Sequence, residues 1–150
     1  MGGRAMIVSL AVAASMGVAA CGGEDGLAKS ELASKADGIC TRAEADVRAV
    51  KAPTDPTDLQ AAGAYFDKVV PIAQKQTDDL ADLQPADDVE DDWNVVVDKQ
   101  KQGTVLLKSI RDKAKAKDSS GRADLEELRT TAQAFSAAAK KIGADSCAGD

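Results

Sequence analysis

From residue 30 onward, apolar residues recur at intervals of three and four and nowhere alternate with polar ones as a half-buried strand requires. That spacing belongs to helices with one buried face. Four such stretches are separated by residues that stop helices. In the first, Leu32, Ala36, Ile39, Ala43, Val47 and Val50 share a stripe, Ser30 stands where an N-cap would, and Pro53 ends the run. The second opens at Asp55-Pro56, a capping side chain before a proline at the first helical position, and its face runs from Leu59 through Ala62, Phe66, Val69, Ala73 and Leu80 to Leu83. Pro71 falls inside it and removes a backbone hydrogen bond. Because the stripe stays in phase beyond Pro71, a kink is expected there rather than a break.

The third stretch starts at Pro85, with Asp87, Asp88, Glu90, Asp91 and Asp92 in its first turns, where acids favour the positive end of the helix dipole. Val89, Trp93, Val96, Val97, Leu106, Leu107 and Ile110 form its broad apolar side, which predicts the most buried helix. After a basic tail, Asp118-Ser119-Ser120-Gly121 reads as a turn. The last stretch, capped by Ser120 or Asp124, carries Leu125, Leu128, Ala132, Phe135, Ala139 and Ile142 and stops at Gly143. The expected fold is therefore all-α, an antiparallel four-helix bundle, up-down-up-down, over residues 30–150.

Residues 1–20 have another character. Arg4 precedes an apolar run from Met6 to Val18 of about a dozen residues, shorter than the roughly 20 a membrane-crossing helix needs, and no acid occurs before Glu24. Val18-Ala19-Ala20-Cys21 resembles a lipobox, the cleavage and lipidation site of bacterial lipoproteins, with Val at position 18 where Leu is commoner. The resemblance implies a cleaved signal peptide over residues 1–20, a diacylglyceryl group on the Cys21 thiol, and a mature protein held on the outer face of the cell membrane. Two or more acyl chains anchor durably, whereas one does not. Residues 21–29, Gly-rich and polar, are expected to be a flexible tether.

With Cys21 lipidated, Cys40 and Cys147 remain, and outside the cytoplasm an even pair reads as a disulfide. Two free thiols or a metal pair are the alternatives, and a closed zinc site lacks ligands because the chain has no His. The bridge requires the chain after Gly143 to fold back along the bundle.

Loss of Arg4 with the leader takes the formal net charge from −6 to −7, which disfavours nucleic acid and anionic lipid headgroups as partners. The absence of His excludes His-dependent triads and removes the commonest general base, so the chain is not expected to be an enzyme, and no cofactor or metal is expected. The run Asp87 to Asp92 lacks the glycine-hinged loop that wraps calcium. Trp93 has the spacing of a core residue, and Gly103 inside a helical pattern suggests close approach by a neighbouring helix.

Ile39-Cys40, Leu83-Gln84-Pro85, and Ile142-Gly143 with Cys147 also resemble landmarks of the small Ala- and Asp-rich lipoproteins of high-GC Gram-positive bacteria. That resemblance implies an extracytoplasmic helical domain and names no activity. The expected function is a non-enzymatic binding or structural module of the cell envelope, joined to the membrane through Cys21 and able to meet an envelope protein partner. Two alternatives are a carrier or sensor of a small apolar ligand held between helices near Pro71, Trp93 and Gly103, and a carboxylate-based hydrolase of wall glycans.

Overall fold

The structure, a computed structural model, describes residues 26–55 and 57–149. The expected signal peptide, the lipidation residue Cys21 and Pro56 lie outside them. Four long helices, α1 (Lys29–Ala49), α2 (Leu59–Ala81), α3 (Asp87–Lys115) and α4 (Gly121–Ile142), are followed by a single turn, α5 (Asp145–Ala148). They form an all-α four-helix bundle. Residues from the starts of α1 and α3 (Leu32, Val89, Trp93) share one core cluster with residues from the ends of α2 and α4 (Leu80, Ile142), so successive helices run antiparallel. We call this end of the bundle its base and the opposite end, where residues 50–58 and 116–120 connect the helices, its far end.

Several helix starts differ from expectation. Ser30 does not cap α1: the helix begins at Lys29 after Ala28, whose carbonyl accepts from the Leu32 amide at 2.9 Å. Nor does α2 open at Asp55. Asp55 instead accepts from the amide and hydroxyl of Thr57, and the cap is Asp58, whose Oδ1 takes the amides of Gln60 and Ala61 at 2.9 and 3.0 Å. Pro85 precedes α3 by two residues. Ser120 occupies the N-cap position of α4 but spends its hydroxyl on Asp118, and Asp124 binds Lys113 and Ser109. The α2 helix runs unbroken through Pro71. As expected, Gly143 ends α4 in the left-handed region, at φ 84°.

The expected tether is also shorter than residues 21–29. Leu27 donates its amide to the Gln84 carbonyl at 2.7 Å and accepts from the Ala86 amide at 2.9 Å, while its side chain packs against the core. A Cβ on Gly26 would fall on the Pro85 carbonyl, so only glycine lets the chain pass this close to the turn between α2 and α3. Residues 26–28 are thus a strap across the base. Its apolar anchor and two backbone bonds outweigh the flexibility that the composition of residues 22–29 suggested.

The packing is uneven along the bundle. The third helix lies between α2 and α4 and packs along both, whereas α1 meets α2 and α5 about equally, α5 filling the seam between α1 and α4. At the base, Leu32, Leu80, Val96, Trp93 and Ile142 are fully buried, each worth about 1.5–3 kcal/mol of burial. Towards the far end the same apolar stripes continue, yet Leu59, Tyr65, Phe66, Leu107 and Leu128 are only half-buried and Leu125 is 44% exposed. Among the described residues no helix is long and apolar enough to cross a membrane.

Candidate functional site

The chain after Gly143 turns back along the bundle: Ala144 is fully buried, the Ser146 amide donates to Asp37 Oδ1 at 2.8 Å, and Cys147 bonds Cys40 at an S–S distance of 2.02 Å. The disulfide joins α5 to the middle of α1. Cys40 also receives Gln76 Nε2 at 3.4 Å, and Gln76 in turn accepts from Gln100 at 3.1 Å, so a short polar ladder runs from α3 to the sulfur.

Above the disulfide lies a cavity of about 350 Å³ that opens to solvent beside the exposed Glu44, Ala132 and Ser146. Ala43 and Val47 of α1, Val69 and Ala73 of α2, Gly103 and Leu107 of α3, and Leu128, Ala132 and Phe135 of α4 supply its apolar walls. The small side chains in its lining, Ala43, Ala73, Gly103 and Ala132, leave that volume unfilled. Polar atoms here are already used: Thr77 donates to the Ala73 carbonyl at 2.8 Å, and its hydroxyl pairs with that of Thr104 at 2.8 Å. Among the described residues, no buried side-chain polar atom lacks a partner.

A second cavity, about 470 Å³, opens at the far end beneath the two connectors. Leu59, Ala62, Tyr65 and Phe66 of α2, Ile110 and Ala114 of α3, and Leu125 of α4 line it, with Pro53, Thr57, Ser119 and Arg122 among the residues closer to the loops. Tyr65 and Phe66 meet edge to face at 5.3 Å. This volume is within the range of small-molecule sites, which are mostly apolar with few polar groups.

Around the far-end cavity, polar contacts tie the helices together. Lys113 Nζ donates to both oxygens of Asp124 at 2.8 Å, and Ser109 Oγ donates to the same carboxylate at 2.6 Å, joining α3 to α4. Lys115 reaches Asp67 at 3.0 Å, joining α3 to α2 beside Gly63, where an added Cβ would stand 2.8 Å from Lys115 Cγ. The bonds from Lys113 and then Ser109 hold the Asp124 carboxyl below its ordinary pKa, against the opposing pull of burial. Asp118 is lowered by the amide and then the hydroxyl of Ser120, and Asp55 by the hydroxyl and then the amide of Thr57. Asp118, the acid in the cavity lining, and Asp55 are therefore both engaged within their own loops.

The residues singled out in the sequence do not converge. Trp93 is 2% exposed inside the packed base and lines neither cavity. Pro71 is exposed and borders a separate cleft between α1 and α2, alongside Ile39, Arg42 and Asp46. Only Gly103 lies on an inner wall, and it does not mark a close helix contact, since an added Cβ would sit an ordinary 3.7 Å from Leu128 Cδ1. The close approach is at Gly63 instead. Of the residues whose spacing assigns them to the core here, Ile110 is buried, whereas Leu59 and Phe66 are half-buried and Leu125 is exposed; the signal for the open space is the Ala and Gly at the stripe positions between them.

The acids at the start of α3 are exposed, and Asp92 lies 3.7 Å from Lys141. Among the described residues no group of three or more His, Cys, Asp or Glu is arranged to hold a metal. Compared with protein-family models, curated proteins and solved structures, the chain matches none.

Proposed function

We propose that the protein is a lipid-anchored, extracytoplasmic and non-enzymatic binding module that holds a small apolar molecule in the far-end cavity. The observation that carries this reading is the contrast within one bundle. The base is closed around Trp93 and Leu80, while the far end keeps an opening of about 470 Å³ walled by Leu59, Tyr65, Phe66, Ile110 and Leu125. Leaving large apolar side chains half-exposed forgoes stabilisation of roughly 25 cal/mol per Å², a cost that a bound apolar ligand recovers.

Cys21, as the lipidation site, would anchor the base. Only about 20 Å of fully extended chain separates it from Leu27, so the strap holds the base close to the bilayer. With α3 about 44 Å long, the cavity mouth would stand at the end of the bundle remote from the anchor, facing molecules that arrive from outside.

Titration with the neutral fluorophore N-phenyl-1-naphthylamine tests the site. Saturable binding is expected for the wild-type chain, weakened at least tenfold by Ala62→Trp, which fills the far-end cavity. Equal binding by a folded Ala62→Trp variant would place the ligand elsewhere.

A further inference from the structure

The first helix is held in two different ways along its length. On the base side of Cys40, Leu32, Ala33, Ala36 and Ile39 are buried, the Asp37 carboxylate accepts from the Ser146 amide at 2.8 Å, and the disulfide fixes Cys40 itself. On the far-end side only Ala43 is buried; Val47 is half-buried and the other residues up to Ala49 are exposed. Among the described residues, no hydrogen bond or ion pair joins residues 41–50 to another helix, and the side-chain bond from Arg48 to Glu44 stays within α1. Clefts flank this half on both sides. One of about 350 Å³ lies between Glu44 and Val47 and the α4 residues Leu128 and Ala132, and one of about 300 Å³ lies between Arg42 and Asp46 and the α2 residues Pro71 and Lys75.

We propose that residues 41–49 of α1 are a gate that pivots at the Cys40–Cys147 disulfide, lifting Ala52 and Pro53 off the far-end cavity to admit its ligand. This rests on the far-end site proposed above and adds how that site is entered. From Cys40 to Ala49 the helix is about 14 Å long, a lever fixed at one end. Its other end leads within three residues to Ala52 and Pro53, which are part of the cavity lining. Opening uncovers one buried alanine and one half-buried valine and breaks no polar bond to a neighbouring helix, so it belongs to the low-cost local motions of the fold. The other three helices are tied together at that end by Lys115 to Asp67 and Lys113 to Asp124 and stay in place. The disulfide halts the opening at Cys40, which keeps the base closed around Leu32 and Trp93.

Hydrogen exchange of the full chain, read amide by amide, tests the gate without any ligand. The amides of Ala45 to Ala49 are expected to exchange at one common rate, about a hundredfold or more faster than those of Ala36 to Cys40, and to slow when N-phenyl-1-naphthylamine is bound. Protection that runs undiminished past Cys40 and is lost only in the last turn, as in ordinary fraying, would overturn the gate. A second reading uses Val47→Ala, which loosens the gate from outside the far-end lining; helical signal and unfolding midpoint check its fold. Stopped-flow mixing with the same fluorophore should show association and dissociation both faster by about fivefold, with Kd unchanged. Rates that ignore Val47→Ala would overturn the gate and leave the far-end site intact, because the fluorophore still binds. Absence of fluorophore binding to the wild-type chain would overturn the site and the gate's role together.

Discussion

Cys40 and Cys147 are joined across 107 residues of sequence with their Cα atoms 5.1 Å apart, which ties the last turn of the chain to the middle of the first helix. A crosslink closing a loop of that length lowers the entropy of the unfolded chain by the equivalent of about 4.7 kcal/mol. The Cys40→Ala/Cys147→Ala pair should therefore lose about 4–5 kcal/mol in urea unfolding, and the Ser146 amide, now bonded to Asp37, should lose its exchange protection. A loss under about 1 kcal/mol would show that α5 holds the α1–α4 seam without the bridge.

The strap makes a separate prediction. Leu27→Ala should destabilise by about 1–2 kcal/mol, the scale of a partly buried leucine, and speed hydrogen exchange at Ala86, whose amide donates to the Leu27 carbonyl. Gly26→Ala should speed the same exchange without removing any side chain, because the new Cβ would displace the strap from Pro85.

Two helix glycines should respond oppositely to alanine. At Gly103 the added methyl meets Leu128 at an ordinary 3.7 Å, so the helix gain of up to about 1 kcal/mol is realised and the unfolding midpoint rises. At Gly63 it meets Lys115 Cγ at 2.8 Å and the Lys115 amide nitrogen at 3.3 Å, so the gain is offset and the midpoint falls. Thermal unfolding of the two variants beside wild type reads this order directly.

Acid should weaken the far end. Asp124, Asp118 and Asp55 have folded pKa values below the ordinary 3.8, so their stabilisation is fully present above that value and is lost as pH falls through the lower, folded values. Stability measured from pH 7 to pH 2 should be flat until the acid limb and then decline. The Asp124→Asn variant, lacking the carboxylate that joins Lys113 to Ser109, should decline less steeply over that limb; an unchanged slope would mean the cluster contributes nothing to the linkage.

Much of this architecture is legible in the sequence because helical periodicity reports which face of each segment turns inward. Leu32, Trp93, Leu80 and Ile142 were assigned to that face and are fully buried. The fold-back to Cys147 follows from Gly143, which only needs a left-handed φ to turn the chain. Periodicity does not report whether an inward face is filled. Phe66, Leu125 and Leu128 obey the same spacing as the base residues, yet they border open space, because the volume opposite them depends on Ala62, Ala73, Gly103 and Ala132 on other helices. Those small residues become neighbours only when the bundle assembles. The strap was hidden for a related reason: its bonds are between backbone groups, and the composition of residues 22–29 carries no trace of the carbonyl of Gln84. Caps failed where a side chain had a better partner nearby, as Asp55 has in Thr57 and Ser120 in Asp118.

Native mass spectrometry of the protein extracted from the membrane fraction of its own cells reads the anchor and the apolar ligand in one experiment. A chain of residues 21–150 bearing a diacylglyceryl group on Cys21 is expected, with an additional non-covalent adduct of small-molecule mass that is absent from the Ala62→Trp variant. An unlipidated, ligand-free chain would contradict both.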